Sequence, residues 1–127
     1  MTETDPRAVR NSVDLARRND AFRQTVVTGE HAQLVVMTIQ PGEEIGEETH
    51  EGDQILQFVE GEGEAILEGK TSSVAPGELV FVPAGTLHNF VNSGSEPLRL
   101  LTVYAPPEHP PGTVNETKAE ADAAEHH

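Results

Sequence analysis

The sequence predicts an all-β, single-domain barrel or sandwich built from about eight short strands. Its apolar runs are short and are stopped by Gly and Pro, as at residues 34–39, 79–82 and 98–103. Turn signals recur roughly every six to ten residues, a hairpin rhythm. No strand pattern alternates with a helical one, which argues against a parallel α/β sheet. At 127 residues the chain is long enough for one core, and with four Phe, one Tyr and no Trp that core is aliphatic and small.

The chain divides into a polar N-terminal arm (residues 1–20), the barrel (21–104) and a tail (105–127). Residues 1–11 read as disordered or loosely docked. Ser12 to Arg18 suits a short helix, with Ser12 as its cap and Val13, Leu15 and Ala16 as its apolar side. Strands follow at 22–27 and 32–40; the second, rich in β-branched residues, stops at Pro41-Gly42. After an acidic stretch come strands at 55–59, 64–68, 71–74, 78–82, 87–91 and 98–104, separated by Glu60-Gly61-Glu62-Gly63, Gly69-Lys70, Pro76-Gly77, Pro83-Ala84-Gly85 and the loop 92–97. From Ala105 the composition turns Pro-rich and then acidic and Ala-rich, which predicts no further strand. The Pro-rich piece is expected to cover the outside or one end of the barrel, and 117–124 to form a short helix. His126 and His127 read as a terminus rather than a site.

With 8 Lys and Arg against 22 Asp and Glu, the formal charge is −14, which disfavours nucleic acid and anionic membranes as partners. Arg7, Arg10, Arg17, Arg18 and Arg23 all precede residue 24, while residues 30–69 carry no Lys or Arg. Such a basic arm either lies across an acidic neighbour or is solvated. The absence of cysteine excludes disulfides, thiolate metal sites and cysteine nucleophiles. No apolar run approaches the roughly 20 residues of a membrane span, and the N-terminus lacks the apolar core of a signal peptide. A cytoplasmic protein is expected.

The chemistry concentrates in PGEEIGEETHEGDQILQFVEG, from Pro41 to Gly61. Glu48 and His50 are two apart and share a face if the segment is extended. Gln54 stands at the mouth of the next apolar run, where pairing can return it to that face. A carboxylate, an imidazole and an amide oxygen converging on one point can chelate a divalent metal. Downstream, PAGTLHNF places His88 beside another strand.

Together these stretches resemble the two motifs of the cupin superfamily. Gly77, Pro83-Ala84-Gly85, His88 and Asn92 match the second motif completely. Gly42, His50 and Gly61 match the first, but Glu48 stands at a position usually held by His, and Gln54 at one usually held by Glu. The resemblance covers residues 22–104 and implies a cupin β-barrel (a double-stranded β-helix, or jelly roll), with glycines 42, 61 and 77 at its hairpin corners. It implies one metal ion held by Glu48, His50, Gln54 and His88, a set with the same net charge as the usual three His and one Glu. Two His and a carboxylate suit Fe, Mn, Ni or Zn. Some cupins acting on uronate sugars also use a glutamine ligand. The whole chain is similar to small bacterial cupins often labelled mannose-6-phosphate-isomerase-like.

Each assignment has a plainer alternative. His50 and His88 can be satisfied core histidines, Gln54 can orient a ligand histidine instead of binding metal, and Glu48 can be one more solvated acid. Glu44 and Glu47 read as surface charges. His31 and His109 are weaker candidates, the latter as a cover over the barrel mouth. Tyr104 either lines the cavity or packs, and Phe58, Phe81 and Phe90 read as core or cavity wall.

The functional expectation is a metal-dependent enzyme acting on a small polar metabolite by isomerase, lyase or oxygenase chemistry, with Glu48 as the catalytic group that moves the proton. The alternatives are a non-catalytic small-ligand-binding module and a structural dimer. No Lys or Arg stands near the motif in sequence, which argues against a phosphorylated sugar. The basic arm and the apolar strand 34–39 predict a homodimer.

Overall fold

The computed structural model describes residues 8–125. Expectations for residues 1–7, including Arg7, and for His126 and His127 lie outside the described residues. Helix α1 (Ser12–Arg18) is followed by β1 (Arg23–Thr28), β2 (Gln33–Ile39), β3 (Asp53–Glu60), β4 (Gly63–Leu67), β5 (Lys70–Val74), β6 (Leu79–Val82), β7 (His88–Val91), β8 (Leu98–Ala105), β9 (Val114–Asn115) and helix α2 (Lys118–Glu125). The strands form a six-stranded sheet in the order β6-β3-β8-β2-β1-β9 and a three-stranded sheet in the order β5-β4-β7. All pairings between these strands are antiparallel. The fold is all-β, as the hairpin rhythm of the sequence predicts.

The core lies between the two sheets. Alternate residues of β2 (Val35, Met37, Ile39), β3 (Leu56, Phe58) and β8 (Leu98, Leu100) meet Ala65, Val74 and Phe90 of the smaller sheet. The Phe58 and Phe90 rings sit 5.8 Å apart between centroids. A second apolar layer lies on the outer face of the large sheet, where Ala16 and Leu15 of α1 pack with Val26, Leu34, Val36, Val59 and Leu101. Both faces of β2 are therefore buried within one chain, so the strand expected to form a dimer contact is already covered. Phe81 is a further correction: it is 50% exposed, while Phe58 and Phe90 are core. Phe81 stands opposite Ile55 in the β3–β6 ladder, and with Leu79 the three form an exposed apolar patch on one face.

Local chemistry explains the remaining departures. Asn11, rather than Ser12, occupies the N-cap of α1; it has a left-handed φ of 52° and makes no side-chain cap bond. The tail does contribute a strand: Val114 and Asn115 of β9 pair with Gln24 and Arg23 of β1. Proline ends at Pro111, so the next residues keep the N–H groups that a ladder needs. Gly61 shows why a corner takes glycine. Its φ is +86°, and a Cβ there would lie 2.3 Å from the Pro97 carbonyl oxygen. Motif residue Asn92 is structural: its amide donates to the Ile39 and Glu96 carbonyls and accepts from Gly94 N–H.

Candidate functional site

Glu48 and His88 face each other as a hydrogen-bonded antiparallel pair. Glu48 N–H donates to the His88 carbonyl and His88 N–H to that of Glu48, each at 3.0 Å. This bridge joins the two motif stretches, and paired residues project to one face. His50, two residues on, shares that face; its carbonyl accepts from Gly85 N–H at 2.9 Å, which fixes the turn leading to His88. Gln54 projects inward from β3, paired with Val82 on one side and Tyr104 on the other.

The side chains converge. His50 Nε2 lies 3.2 Å from Glu48 Oε1, and His88 Nε2 lies 3.9 Å from the same oxygen. One ligand atom from each of Glu48, His50 and His88 falls within 4.8 Å of the others. His88 Nδ1 is 2.8 Å from the Thr86 carbonyl, so it carries the proton and leaves the Nε2 lone pair facing inward. His50 Nδ1 is 2.8 Å from Glu108 Oε1, with the same consequence. Thr102 Oγ1 donates to the Ile55 carbonyl and accepts from the Gln54 amide N–H, which sets the orientation of that amide. Gln54 Oε1 is then the acceptor left over. His88 Nε2 and Gln54 Oε1 are buried with no hydrogen-bond partner among the described residues, and His50 Nε2 faces the Glu48 carboxylate. Two imidazole lone pairs, an amide oxygen and a carboxylate form a donor set that fits a divalent cation.

The charges respond to this geometry. Burial acts to raise the Glu48 carboxyl, but the hydrogen bond and charge of His50, then His88 and Arg23, outweigh it and hold the pKa below its usual value. Burial acts to lower His50, and the adjoining Glu48 and Glu108 carboxylates outweigh it and raise its pKa. Burial raises the Tyr104 hydroxyl, against the opposing charge and hydrogen bond of Arg23. Burial, with the Arg23 charge, pushes His109 down to about 4.

Above the cluster opens a cavity of about 660 Å³, lined by Glu48, His50, Glu51, Gly52 and Arg23 together with Pro106 to Pro110, Thr113, Asn115 and α2. The Pro-rich tail lies over the mouth, in line with the expectation that it covers one end of the barrel. Gln33, buried in β2, clamps the tail. Its amide donates to the His109 carbonyl at 2.7 Å and to Thr28 Oγ1 at 3.0 Å, and its Oε1 accepts from the N–H groups of Glu108 and His109.

Of the four residues singled out in the motifs, Glu48, His50 and His88 are brought to one place, and Gln54 faces inward from β3 opposite Tyr104, whose ring meets His50. Three residues of the site went unassigned or underweighted. Glu108 stands far from the motifs, and its only signal is a lone acid within a proline run. His109, a weak candidate by sequence, lines the cavity beside Tyr104, with ring centroids 5.2 Å apart. Arg23 corrects the expectation that no cation stands near the motif: it is distant in sequence but lines the same cavity as Glu48 and His50. Tyr104 is buried edge-on to both His50 and His109. His31 is exposed beside Glu30, away from the site, and Glu44 and Glu47 are surface residues.

Comparison with known proteins agrees with this fold. The protein BH2720 of Bacillus halodurans is 44% identical and superposes with a TM-score of 0.93, over 97% of this chain and 99% of that one. KdgF of Halomonas sp. is 25% identical, with a TM-score of 0.64 over 68% of this chain and 78% of KdgF. YrkC of Bacillus subtilis is 44% identical over 117 residues, which is 86% of this chain and 62% of YrkC. L612 of Acanthamoeba polyphaga mimivirus is 36% identical over 104 residues, 77% of this chain and 64% of L612. The chain thus spans less than two thirds of the length of these two curated relatives. Residues 35–104 match the cupin domain described as Cupin_2, more than half of the sequence. The chain belongs to the cupin family.

Proposed function

We propose that this cupin binds one divalent metal ion (Fe, Mn, Ni or Zn) through Glu48, His50, Gln54 and His88, and that it acts as an enzyme on a small polar metabolite held in the cavity above them. The observation that carries this reading is the set of inward-facing donor atoms whose opposite ends are engaged: His50 by Glu108, His88 by Thr86, Gln54 by Thr102. Such outer partners fix the tautomer and direction of metal ligands. A bound divalent ion supplies Lewis acidity toward a carbonyl or hydroxyl oxygen. Glu48, kept below the usual carboxylate range, is a weak base while it is held in the cluster. His109, held neutral at pH 7 by burial and by Arg23 and lining the cavity, is a hydrogen-bonding group there and, with its pKa near 4, also a weak base. Isomerase, lyase and oxygenase chemistry all fit this arrangement.

Metal content after gel filtration, measured on protein lacking His126 and His127, tests the reading. About one ion per chain is expected, falling to near zero in His88→Ala with the fold retained. An ion content unchanged in both His88→Ala and Glu48→Ala refutes it. Turnover of a small-metabolite panel separates an enzyme from a binding module.

The protein is further proposed to be a cytoplasmic homodimer that buries Ile55, Leu79 and Phe81, which are 38%, 58% and 50% exposed in the single chain. Light scattering is expected to show a dimer for the wild type and a monomer for Phe81→Asp.

A further inference from the structure

Resting on the metal-site reading above, we infer that residues 106–112 form a strap that gates the site and that Glu108 latches it to the metal cluster. Metal binding beneath the strap tightens it, and release of the strap loosens the metal.

The sequence makes this segment stiff and leaves it few ways to be held. Four of its seven residues are Pro, which fixes φ and supplies no N–H. The N–H groups of Glu108 and His109 both donate to Gln33 Oε1, at 3.2 and 3.1 Å, and the His109 carbonyl accepts from the Gln33 amide. One side chain therefore carries these three backbone bonds. The two ends are anchored differently. Beyond the strap, β9 pairs with β1, and Thr25 N–H donates to the Thr113 carbonyl. Before it, residue 52 packs so closely that a Cβ at Gly52 would clash with the Ala105 carbonyl oxygen and Pro106. The result is a stiff span between two fixed ends, seated at Glu108 and His109 by side chains. Such a segment opens locally, without the barrel.

The strap covers groups that have to be reached. Pro106 to Pro110 line the same cavity as Glu48 and His50. His88 Nε2 and Gln54 Oε1, buried deeper, have no hydrogen-bond partner among the described residues. An ion that enters through the cavity passes the strap.

Glu108 connects strap and cluster. Its Oε1 lies 2.8 Å from His50 Nδ1, while Nε2 of the same ring lies 3.2 Å from Glu48 Oε1. The two nitrogens belong to one conjugated ring. A divalent ion held by His50 draws electron density from that ring and makes Nδ1–H a stronger donor to a carboxylate. This gain exists only while the strap is seated. By linkage, the factor by which an ion favours the seated strap equals the factor by which the seated strap favours the ion. The outer partners of His88 and Gln54 are different: Thr86 and Thr102 belong to the barrel, so neither responds to the tail.

Amide hydrogen exchange on the full chain, with and without saturating zinc, tests this. Zinc is expected to slow exchange at Glu108 and His109 about tenfold or more and to leave Phe22 and Thr25 within a few fold. In Glu108→Ala with zinc bound, the slowing at His109 is expected to vanish. Zinc affinity, read by competition with a chelator, gives the reciprocal result. Gln33→Leu is expected to weaken zinc binding about fivefold or more in the wild-type background and to have no further effect in Glu108→Ala. If Gln33→Leu does not fold, the exchange result for Glu108→Ala decides, since that side chain is 33% exposed and its loss leaves the core intact. Slowing that spreads equally to Phe22 and Thr25, slowing that persists in Glu108→Ala, or an equal effect of Gln33→Leu in both backgrounds overturns the strap. Bound zinc with unchanged exchange at Glu108 and His109 refutes the strap alone. Wild-type protein that takes up no Fe, Mn, Ni or Zn refutes the metal-site reading, and the latch falls with it.

Discussion

Replacing Gln33 by leucine keeps the volume of a buried side chain but removes the clamp that seats the tail over the cavity. Four hydrogen bonds disappear: two from the amide, to His109 O and Thr28 Oγ1, and two accepted from the N–H groups of Glu108 and His109. At about 1 kcal/mol net each, the loss is roughly 3–4 kcal/mol if the tail stays in place with its backbone groups unpaired. The tail has a cheaper route. It can lift at residues 106–112 and regain water, so global stability falls by less, and the change appears as local opening. Residues 113–116 remain anchored, because Thr25 N–H donates to Thr113 O at 2.9 Å and Phe22 N–H to Glu116 O at 3.2 Å. Amide hydrogen exchange in Gln33→Leu is therefore expected to accelerate about 100-fold or more at Glu108 and His109 and to stay within a few fold of wild type at Phe22 and Thr25. As Glu108 leaves with the lifted segment, metal affinity is expected to fall with it. Unchanged exchange at Glu108 and His109 would refute the clamp, and equal acceleration at Thr25 would show that the tail moves as one piece.

Glu108→Ala, which removes the carboxylate from His50 Nδ1, is expected to weaken metal binding about 10- to 100-fold with little change in unfolding temperature; Glu108→Gln, which can still accept, should fall between. Lowering the pH is expected to destabilise the metal-free protein through His109, whose pKa is about 4 when folded against 6.5 in the free side chain. The unfolded chain takes up that proton first, so the contribution is complete above pH 6.5 and is lost as the pH falls toward 4. The gap corresponds to roughly 3 kcal/mol, discounted to about 2 kcal/mol for partial exposure. Urea unfolding at pH 7.5 and 4.5 should show this extra loss in the wild type and not in His109→Gln. Gly61→Ala, which forces a side chain into a left-handed φ and onto the Pro97 carbonyl, is expected to cost about 2–3 kcal/mol in chemical denaturation; a change below about 0.5 kcal/mol would contradict the close approach.

The barrel and the grouping of Glu48, His50 and His88 are legible in the sequence because they depend on local rules. Strand spacing follows from Gly and Pro at the corners, and Glu48, His50 and Gln54 need only the two-residue alternation of extended chain to reach one face. Glu108 and Arg23 are invisible to such rules. Each reaches the site through contacts distant in sequence: Glu108 is held by Gln33, and Arg23 turns inward because its register against Met37 and Asn115 is fixed by tertiary structure. The two-residue strand β9 is too short to stand out beside a proline run, and the exposure of Phe81 follows from which face of β6 lacks a partner. An aromatic in a strand reads as core until the neighbouring layer is known.

β1 lies between β2 and β9, so the segments preceding and following the matched region meet as neighbouring strands. Residues 35–104 carry the Glu48, His50 and His88 group, whereas Arg23, Glu108 and His109 all come from outside them. The conformation of this mouth is therefore inherited as a paired unit: a substitution in β1 and one in the tail act on a common ladder and a common ligand space. Ligand preference can then change through compensating exchanges between the two flanks while the donor set beneath stays constant, and swapping one flank alone between relatives should break the ladder before it transfers any specificity.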